Sequence, residues 1–566
     1  MGSPLASLEE LGEVLTTDVL IIGGGIGGLA AAVAAKEECP QVDVMIVEKQ
    51  TAGWAGKGAK IGGVLTFLGP NDDADKFIDF QVRTAGAYLN DQNSLSRYVN
   101  STPGAIETLG RWGAKLARTP DGNVIGVPAF WAPDYTLGFI DMDLMLPIRA
   151  RARKLGTRIM NKIHVTDLLM ERDRVVGAVG FDMISGRFQI FKAKATILAN
   201  GSCGYKVRRF WVAGTGDGIA AAFRAGAEMR NAEFGNLYGH TVWQDTDSGL
   251  VPFEFLVNAR GENLTEKYLK GSGPAGVFLP IQLAVGIDKE AAEGRGPIFF
   301  APPESAPELP PMPLPKLSEW MDRMAAKERK YGQPEGTRRE IGVPLHGETS
   351  CVKVDGDMRT TVEGLWAIGD TSYAGSAVAG ALPSPPGVAP GSGIMFAVVS
   401  ASWGGPSAAR FAAESPAADA DAGLVKQLRA EAFAPLERSN GASPKEAVSK
   451  LQDLVAPMKY SLRRSGQRLE EALAGLEAVK EMLPELRAVD PHYLAACHEV
   501  RSMALCAELT LRAALTRTES RGFHFREDYP ELDNEHWLKW VILKREDDQV
   551  EVSSRPVPIG EYNVRP

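Results

Sequence analysis

Three glycines near the start of the chain are spaced for phosphate chemistry. Gly23, Gly25 and Gly28 form a G-x-G-x-x-G pattern within Gly23-Gly24-Gly25-Ile26-Gly27-Gly28. In such a turn the first glycine permits a tight bend, the second lets a pyrophosphate approach the backbone, and the third lets a helix pack on a strand. Glu48 lies twenty positions beyond Gly28, where a carboxylate can accept a hydrogen bond from a ribose hydroxyl. Ile26 and Gly27 in the turn, Lys49 after the acid, and Gly62 and Gly63 further on join the candidate cofactor contacts. The glycine motif alone does not separate FAD from NAD. Three later stretches favour FAD: Asn200-Gly201, Asp217 within Gly214–Gly218, and Gly369-Asp370, followed by Ser392. An extended flavin needs several such backbone approaches, and an acid at the last of them can bind ribityl hydroxyls.

Elements must hold these residues in place. Asp18–Ile22 is a short apolar run that reads as a buried strand, Leu29–Lys36 as an alanine-rich helix, and Val42–Val47 as a second strand. Strands ending at Gly201 and Gly369 and a helix over 219–225 continue the pattern. The reading is an α/β protein with a Rossmann-like dinucleotide-binding pattern that starts near the beginning of the chain and resumes after about residue 340. Residues 242–340, with the proline-rich stretch 301–315, interrupt it. Residues 421–528 read as helical, with apolar residues at three- and four-residue spacing over 467–483. The tail 529–566 is mixed and aromatic, and no internal repeat is visible.

Composition narrows the function classes. The 566 residues suggest three to four domains' worth of chain. A net charge of −9 argues against a nucleic-acid binder. No apolar run approaches the roughly 20 residues that span a bilayer, and Met1–Glu13 shows no secretory pattern. The five cysteines, Cys39, Cys203, Cys351, Cys497 and Cys506, lack the spacing of a disulfide framework, a metal site or a cluster. These features predict a cytoplasmic protein with reduced thiols and no metal.

At this point the chain resembles the flavoprotein subunits of the succinate dehydrogenase and fumarate reductase superfamily. The likeness extends through Leu256–Tyr268, Glu293–Ile298 and Glu519–Tyr529. Glu293–Ile298 and Gly62–Gly69 are most similar to the adenylylsulfate reductase alpha subunit branch. The resemblance implies a Rossmann-like FAD-binding domain in two sequence segments, 1–241 and 341–420, interrupted by an α+β capping domain at 242–340 over the substrate, then a C-terminal helical domain at 421–528 followed by an extension at 529–566. It also implies two active-site histidines, which fall on His346 and on His240, with Tyr238 a rival for the second. Glu348 joins them as a catalytic candidate, and Glu254, Trp131, Tyr135 and Trp243 are candidate pocket groups, with packing or surface roles the plainer reading of each.

The chain departs from the family pattern at several points. A rough alignment puts Pro280 where the family has a proton-shuttling arginine. The loop 382–393, where a second arginine should hold a substrate carboxylate, has no cation and carries Gly387 near that position. Leu65 replaces an asparagine of the adenylylsulfate branch. No histidine occurs between Ala52 and Gly63, around Ala55-Gly56-Lys57, so FAD is expected to be non-covalent. The expectation is an FAD-dependent oxidoreductase subunit that exchanges hydride or electrons at flavin N5 with a small organic substrate other than succinate or fumarate. The alternatives are adenylylsulfate reductase-like sulfur chemistry and a non-catalytic FAD electron-transfer subunit. The resemblance implies a ferredoxin-like iron–sulfur partner and admits an oligomer of heterodimers. Any docking face for it must be locally basic, and Arg463, Arg464, Arg517 and Arg521 are candidates, although surface charges of this kind usually serve only solubility.

Overall fold

The computed structural model describes residues 7–59, 63–84, 86–129, 132–207, 214–234, 241–242, 256–269, 280–301, 313–331, 339–342, 349–372, 380–381, 392–417, 419–547 and 549–566. Its centre is a seven-stranded sheet. In chain order the strands are β1 (Glu13–Ile22), β2 (Val44–Glu48), β3 (Arg158–Asn161), β4 (Ile163–Glu171), β5 (Arg174–Asp182), β6 (Phe188–Leu198) and β7 (Leu365–Ala367). The spatial order is β3-β2-β1-β6-β5-β4, and β7 lies beside the carboxyl-terminal part of β6. The strands β3, β2, β1, β6 and β7 run parallel, whereas β4, β5 and β6 form an antiparallel meander.

Alternation along β1 explains why the sheet has two cores. Val19 and Ile21 face one way with Val44 and Ile46 of β2, against helices α1 (Ile26–Glu38) and α3 (Ser392–Glu414). Leu20 and Ile22 face the other way with Met45 and Val47, against α2 (Asp217–Arg224) and the helix α7 (Pro491–Thr516). α1 is alanine-rich and buried nearly all round, from Leu29 to Ala35. Small residues let α3 come close: a Cβ on Gly405 would lie 2.6 Å from the Ala31 carbonyl oxygen.

Helices α4 (Ala422–Glu437), α5 (Pro444–Val455), α6 (Gly466–Met482) and α7 follow α3, each begun by a capping side chain: Asp421, Ser443, Ser465 and Asp490. The chain then returns as a hairpin, β8 (Lys539–Glu546) and β9 (Gln549–Pro556), with β8 pairing Met229-Arg230. In the interrupting segment, short strands at 241–242, 256–257, 299–300 and 339–342 form a four-stranded sheet. Buried Glu290, on the helix Pro280–Ala292, ties this region together. It accepts hydrogen bonds from Asn258 Nδ2 (2.7 Å), Tyr268 (2.5 Å) and both Nε (2.7 Å) and Nη2 (2.8 Å) of Arg295.

Candidate functional site

The carboxyl ends of β1, β2, β6 and β7 converge on one crevice, the place where open parallel sheets receive ligands. The register brings Ile22 level with Val47 and Leu198, and Leu198 level with Ala367. The loops that carry Gly23–Gly28, Glu48–Ala59, Ala199–Ser202 and Gly369–Thr371 therefore meet.

Each glycine of the turn answers to a different steric demand. Gly23 has φ +114°, which an L side chain avoids. A Cβ on Gly28 would lie 1.9 Å from the Gly23 carbonyl oxygen, so only glycine lets α1 approach its own turn. A Cβ on Gly25 would meet nothing within 4 Å. The backbone there is open, and Gly25 caps the N-terminus of α1, a kind of position that suits an anionic group. Gly27 packs more loosely, its Cβ position 3.7 Å from Ile368, and Ile26 is buried in the core.

Glu48 is buried and braces the same turn. One oxygen accepts the Gly24 N–H at 2.6 Å and the other the Gln50 N–H at 2.7 Å. Each oxygen keeps a second lone pair for a ribose hydroxyl. Lys49 and Asp217 meet each other. The Lys49 ammonium donates to Asp217 Oδ2 (2.7 Å), Glu499 Oε1 (2.8 Å) and Thr215 Oγ1 (2.9 Å), which uses all three of its hydrogens. Burial is the largest single influence and works against ionisation of both partners, but the surrounding charges and hydrogen bonds together outweigh it: Lys49 and Thr215 hold the Asp217 carboxyl low, and Asp217 and Glu499 hold the Lys49 ammonium high. The cluster pins the N-terminus of α2 to α7.

On the other wall, Gly201 has φ +77° and open space at its Cβ position, and its N–H donates to Thr371 Oγ1 (2.9 Å). Asn200 Oδ1 is buried without a hydrogen-bond partner among the described residues. The Gly369 N–H donates to Ser400 Oγ (3.0 Å), and Ser392 at the start of α3 is paired with Thr66 (2.9 Å). Gly63 has φ +112°. Lys57 bridges the walls, donating to Asp370 Oδ2 (2.8 Å) and Ser202 Oγ (3.1 Å). A crevice with two open glycine backbones, a helix N-terminus, a braced carboxylate and an unpartnered buried amide oxygen fits an extended dinucleotide such as FAD.

His346, Glu348, His240, Tyr238, Gly62, Glu254, Trp131, Trp243 and Gly387 lie outside the described residues, as does the side chain of Pro280. Tyr135 is buried and stacked on Phe77 with ring centroids 4.0 Å apart, and Leu65 is buried in the strand Val64–Phe67. The Cys351 thiol is buried, and burial raises its pKa, as suits an unreactive sulfur.

The candidate basic docking face is not borne out. Arg464, Arg517 and Arg521 are buried, and Arg463 is held by Asp288 and Glu527. Arg517 Nε donates to Glu233 Oε1 (2.8 Å) and its Nη1 to Glu519 Oε1 (2.9 Å), while Arg521 donates to both oxygens of Glu519 (2.7 and 2.9 Å). Arg464 Nη1 donates to His524 Nδ1 (2.7 Å), so the His524 Nε2–H donates to the Arg517 carbonyl (3.1 Å). Guanidinium groups beside buried carboxylates make charge-assisted bonds that stabilise an interior; they offer no surface charge. The Glu519–Tyr529 stretch is thus a seam between Ala232–Phe234, α7 and the hairpin.

Lys57, Ser202 and Thr371 were not singled out from the sequence as cofactor contacts. The sequence carried a signal for Lys57 only in part: it is one of two lysines, with Lys60, in the glycine-rich stretch 53–63, and nothing local pairs it with Asp370.

Two family models match the chain: the FAD binding domain over residues 18–245 and the fumarate reductase flavoprotein C-terminal region over 449–566. The fumarate reductase flavoprotein subunit of Mycobacterium tuberculosis is 27% identical, with 96% of this chain and 98% of that protein covered. Among solved structures, the FrdA chain of E. coli quinol fumarate reductase superposes with a TM-score of 0.82 at 19% identity, covering 98% of this chain and 99% of that one. An adenosine-5-phosphosulfate reductase in complex with sulfite gives 0.78 at 22% identity, covering 96% of each. At those identities the two structures share the fold. Among the described residues no helix is long and apolar enough to cross a membrane, and no group of three or more His, Cys, Asp or Glu is placed to hold a metal.

Proposed function

The chain belongs to the succinate dehydrogenase and fumarate reductase flavoprotein family and is an FAD-dependent oxidoreductase; from that premise we propose that it acts on a small organic substrate other than succinate or fumarate. The electrons then pass to or from an iron–sulfur partner chain. FAD supplies hydride or electron transfer at its N5 position, and the protein supplies binding, orientation and exclusion of water. The observation that carries the binding mode is the open backbone at Gly25 within the braced turn. In this reading Gly25 and the α1 N-terminus would hold the pyrophosphate, Glu48 would accept from a ribose hydroxyl, and Asn200, Gly201, Gly369 and Asp370 would hold the ribityl and flavin end. Without a histidine between Ala52 and Gly63, the cofactor is held non-covalently.

The substrate argument rests on missing cations. A dicarboxylate in a water-poor site needs guanidinium or ammonium partners. Pro280 stands where the resemblance expects one arginine, and the loop 382–393 has no cation. Arg295, the nearest arginine in sequence, is already held by Glu290 and Glu293. The segment 242–340 is the cap in this reading, and His346, His240 or Tyr238, with Glu348, are the groups that hold or move a proton at the substrate. A neutral imidazole can do so near pH 7.

One experiment tests the reading. Protein purified in its native state is acid-precipitated, and yellow FAD is expected in the supernatant. The holoprotein is then screened anaerobically for flavin bleaching by metabolites, and the reduced form for reoxidation by fumarate. Turnover of fumarate within the usual enzyme range, about 1–1,000 per second, overturns the substrate argument. Flavin that stays with the pellet overturns the non-covalent mode.

A further inference from the structure

We infer that Lys57 is a cofactor-positioning residue, an ionic latch that closes over the bound dinucleotide by joining the loop after β2 to the loop after β7. The inference rests on the FAD-binding mode proposed above. Lys57 donates to Asp370 Oδ2 at 2.8 Å and to Ser202 Oγ at 3.1 Å. Both charged side chains are mostly buried, where an ion pair is screened far less by salt than at the surface. Its neighbour Gly56 lies directly over the turn, with its Cβ position 3.8 Å from Gly25 Cα. Ser202 follows Gly201, the other open glycine of the crevice. The latch therefore spans the gap between the two open backbones.

Charge gives the latch a second effect. The crevice carries two acids, Glu48 and Asp370, and is to receive a dianionic pyrophosphate. Glu48 is offset by the N–H groups of Gly24 and Gln50. Asp370 is offset by Lys57. Removing the ammonium leaves the Asp370 carboxylate without that cation in a partly buried crevice that is also to hold an anionic pyrophosphate, and the added negative charge weakens binding. In a chain without a covalent flavin link, this ion pair sets how long the cofactor stays.

The test is binding of FAD itself to apoprotein, followed by quenching of flavin fluorescence, with release timed by ultrafiltration. Lys57→Met keeps the length of the side chain and removes the charge. It should raise the Kd for FAD about ten- to a hundredfold, the scale of a severed, partly buried charge pair, and hasten release accordingly. Lys57→Arg should stay within about threefold of the parent, a number set by the retained charge. Asp370→Asn reads the same bridge from its other end. Adding it to Lys57→Met should cost less than the two separate losses combined, because one interaction is being removed twice. A Lys57→Met protein that binds FAD within twofold of the parent overturns the latch. So does full additivity in the double variant. Should Lys57→Met not fold, a loss with Asp370→Asn that Lys57→Arg does not share supports the latch, and its absence refutes it. Failure of the parent protein to bind FAD at all counts against the cofactor reading instead.

Discussion

Gly25→Ala and Gly28→Ala add the same methyl group three residues apart and should have very different consequences for the apoprotein. At Gly28 the new Cβ would sit 1.9 Å from the Gly23 carbonyl oxygen and 3.3 Å from Ile21 Cγ2. A carbon–oxygen contact needs about 3.3 Å, so α1 would have to retreat by roughly 1.4 Å from a turn fixed by β1 and β2. Overpacking of this kind costs about 1–3 kcal/mol. At Gly25 the methyl meets nothing within 4 Å, and the backbone at φ −72° and ψ −171° is open to any residue. Loss of the glycine cap and the smaller entropy of the unfolded chain nearly cancel, leaving a change within about 1 kcal/mol. The methyl at Gly25 does occupy the approach of the pyrophosphate, so FAD affinity should fall at least about tenfold, or ~1.4 kcal/mol. Urea unfolding of each apoprotein, paired with FAD titration, separates the two effects. The reasoning is refuted if Gly25→Ala destabilises the apoprotein as much as Gly28→Ala, or if it binds FAD as well as the parent.

The other expectations concern the core. His498 is buried, its Nε2–H donates to the Ala432 carbonyl (2.9 Å), and its ring lies 5.7 Å from that of His164; burial, with His164 and Arg501 nearby, lowers its pKa to about 3. The unfolded chain takes up the proton near pH 6.5 and the folded one does not, so stability is full above that pH and is lost on acidification. At about 1.36 kcal/mol per pH unit for one group, roughly 2 kcal/mol should go between pH 6.5 and 5, and His498→Leu should flatten that part of a urea-midpoint profile. Arg517→Met leaves Glu233 without its guanidinium in the interior and Glu519 with only Arg521. It should cost about 3–5 kcal/mol in unfolding experiments, and adding Glu233→Gln should recover part of that; no recovery would count against the ion-pair account.

Local features of the site were legible because they are set by neighbours in sequence. The strand, the Gly23–Gly28 turn and the acid at Glu48 lie within one short unit, and Gly23 and Gly28 have the steric reasons their spacing implied. Long-range partners were not legible. Lys49 reads as one more cofactor contact until Glu499, far along the chain, accepts from it. Arg517 and Arg521 read as solvated charges at a helix end, because nothing near them announces Glu233; the nearby Glu519 was the only local hint of a pair. The tail gave no pairing signal, since β8 finds part of its sheet at Met229-Arg230. The meander β4–β5 was also missed. Its strands are bounded by a tight turn at 172–173 and continue the sheet by antiparallel pairing, whereas the glycine motif announces only its parallel half.

The placement of β7 beside β6 has a consequence for how the protein is made. Asp370 leaves the ribosome long after Gly28, roughly 20–70 seconds later at ordinary rates of synthesis. Until then the first half of the sheet has its glycine turn but lacks one wall, and the Thr196–Leu198 edge of β6 waits without its parallel neighbour. An exposed strand edge in a nascent chain invites wrong pairing. Cofactor loading therefore belongs late in biogenesis, and expression conditions that slow elongation through 199–364 should shift yield toward aggregated protein, while early flavin supply should not rescue it.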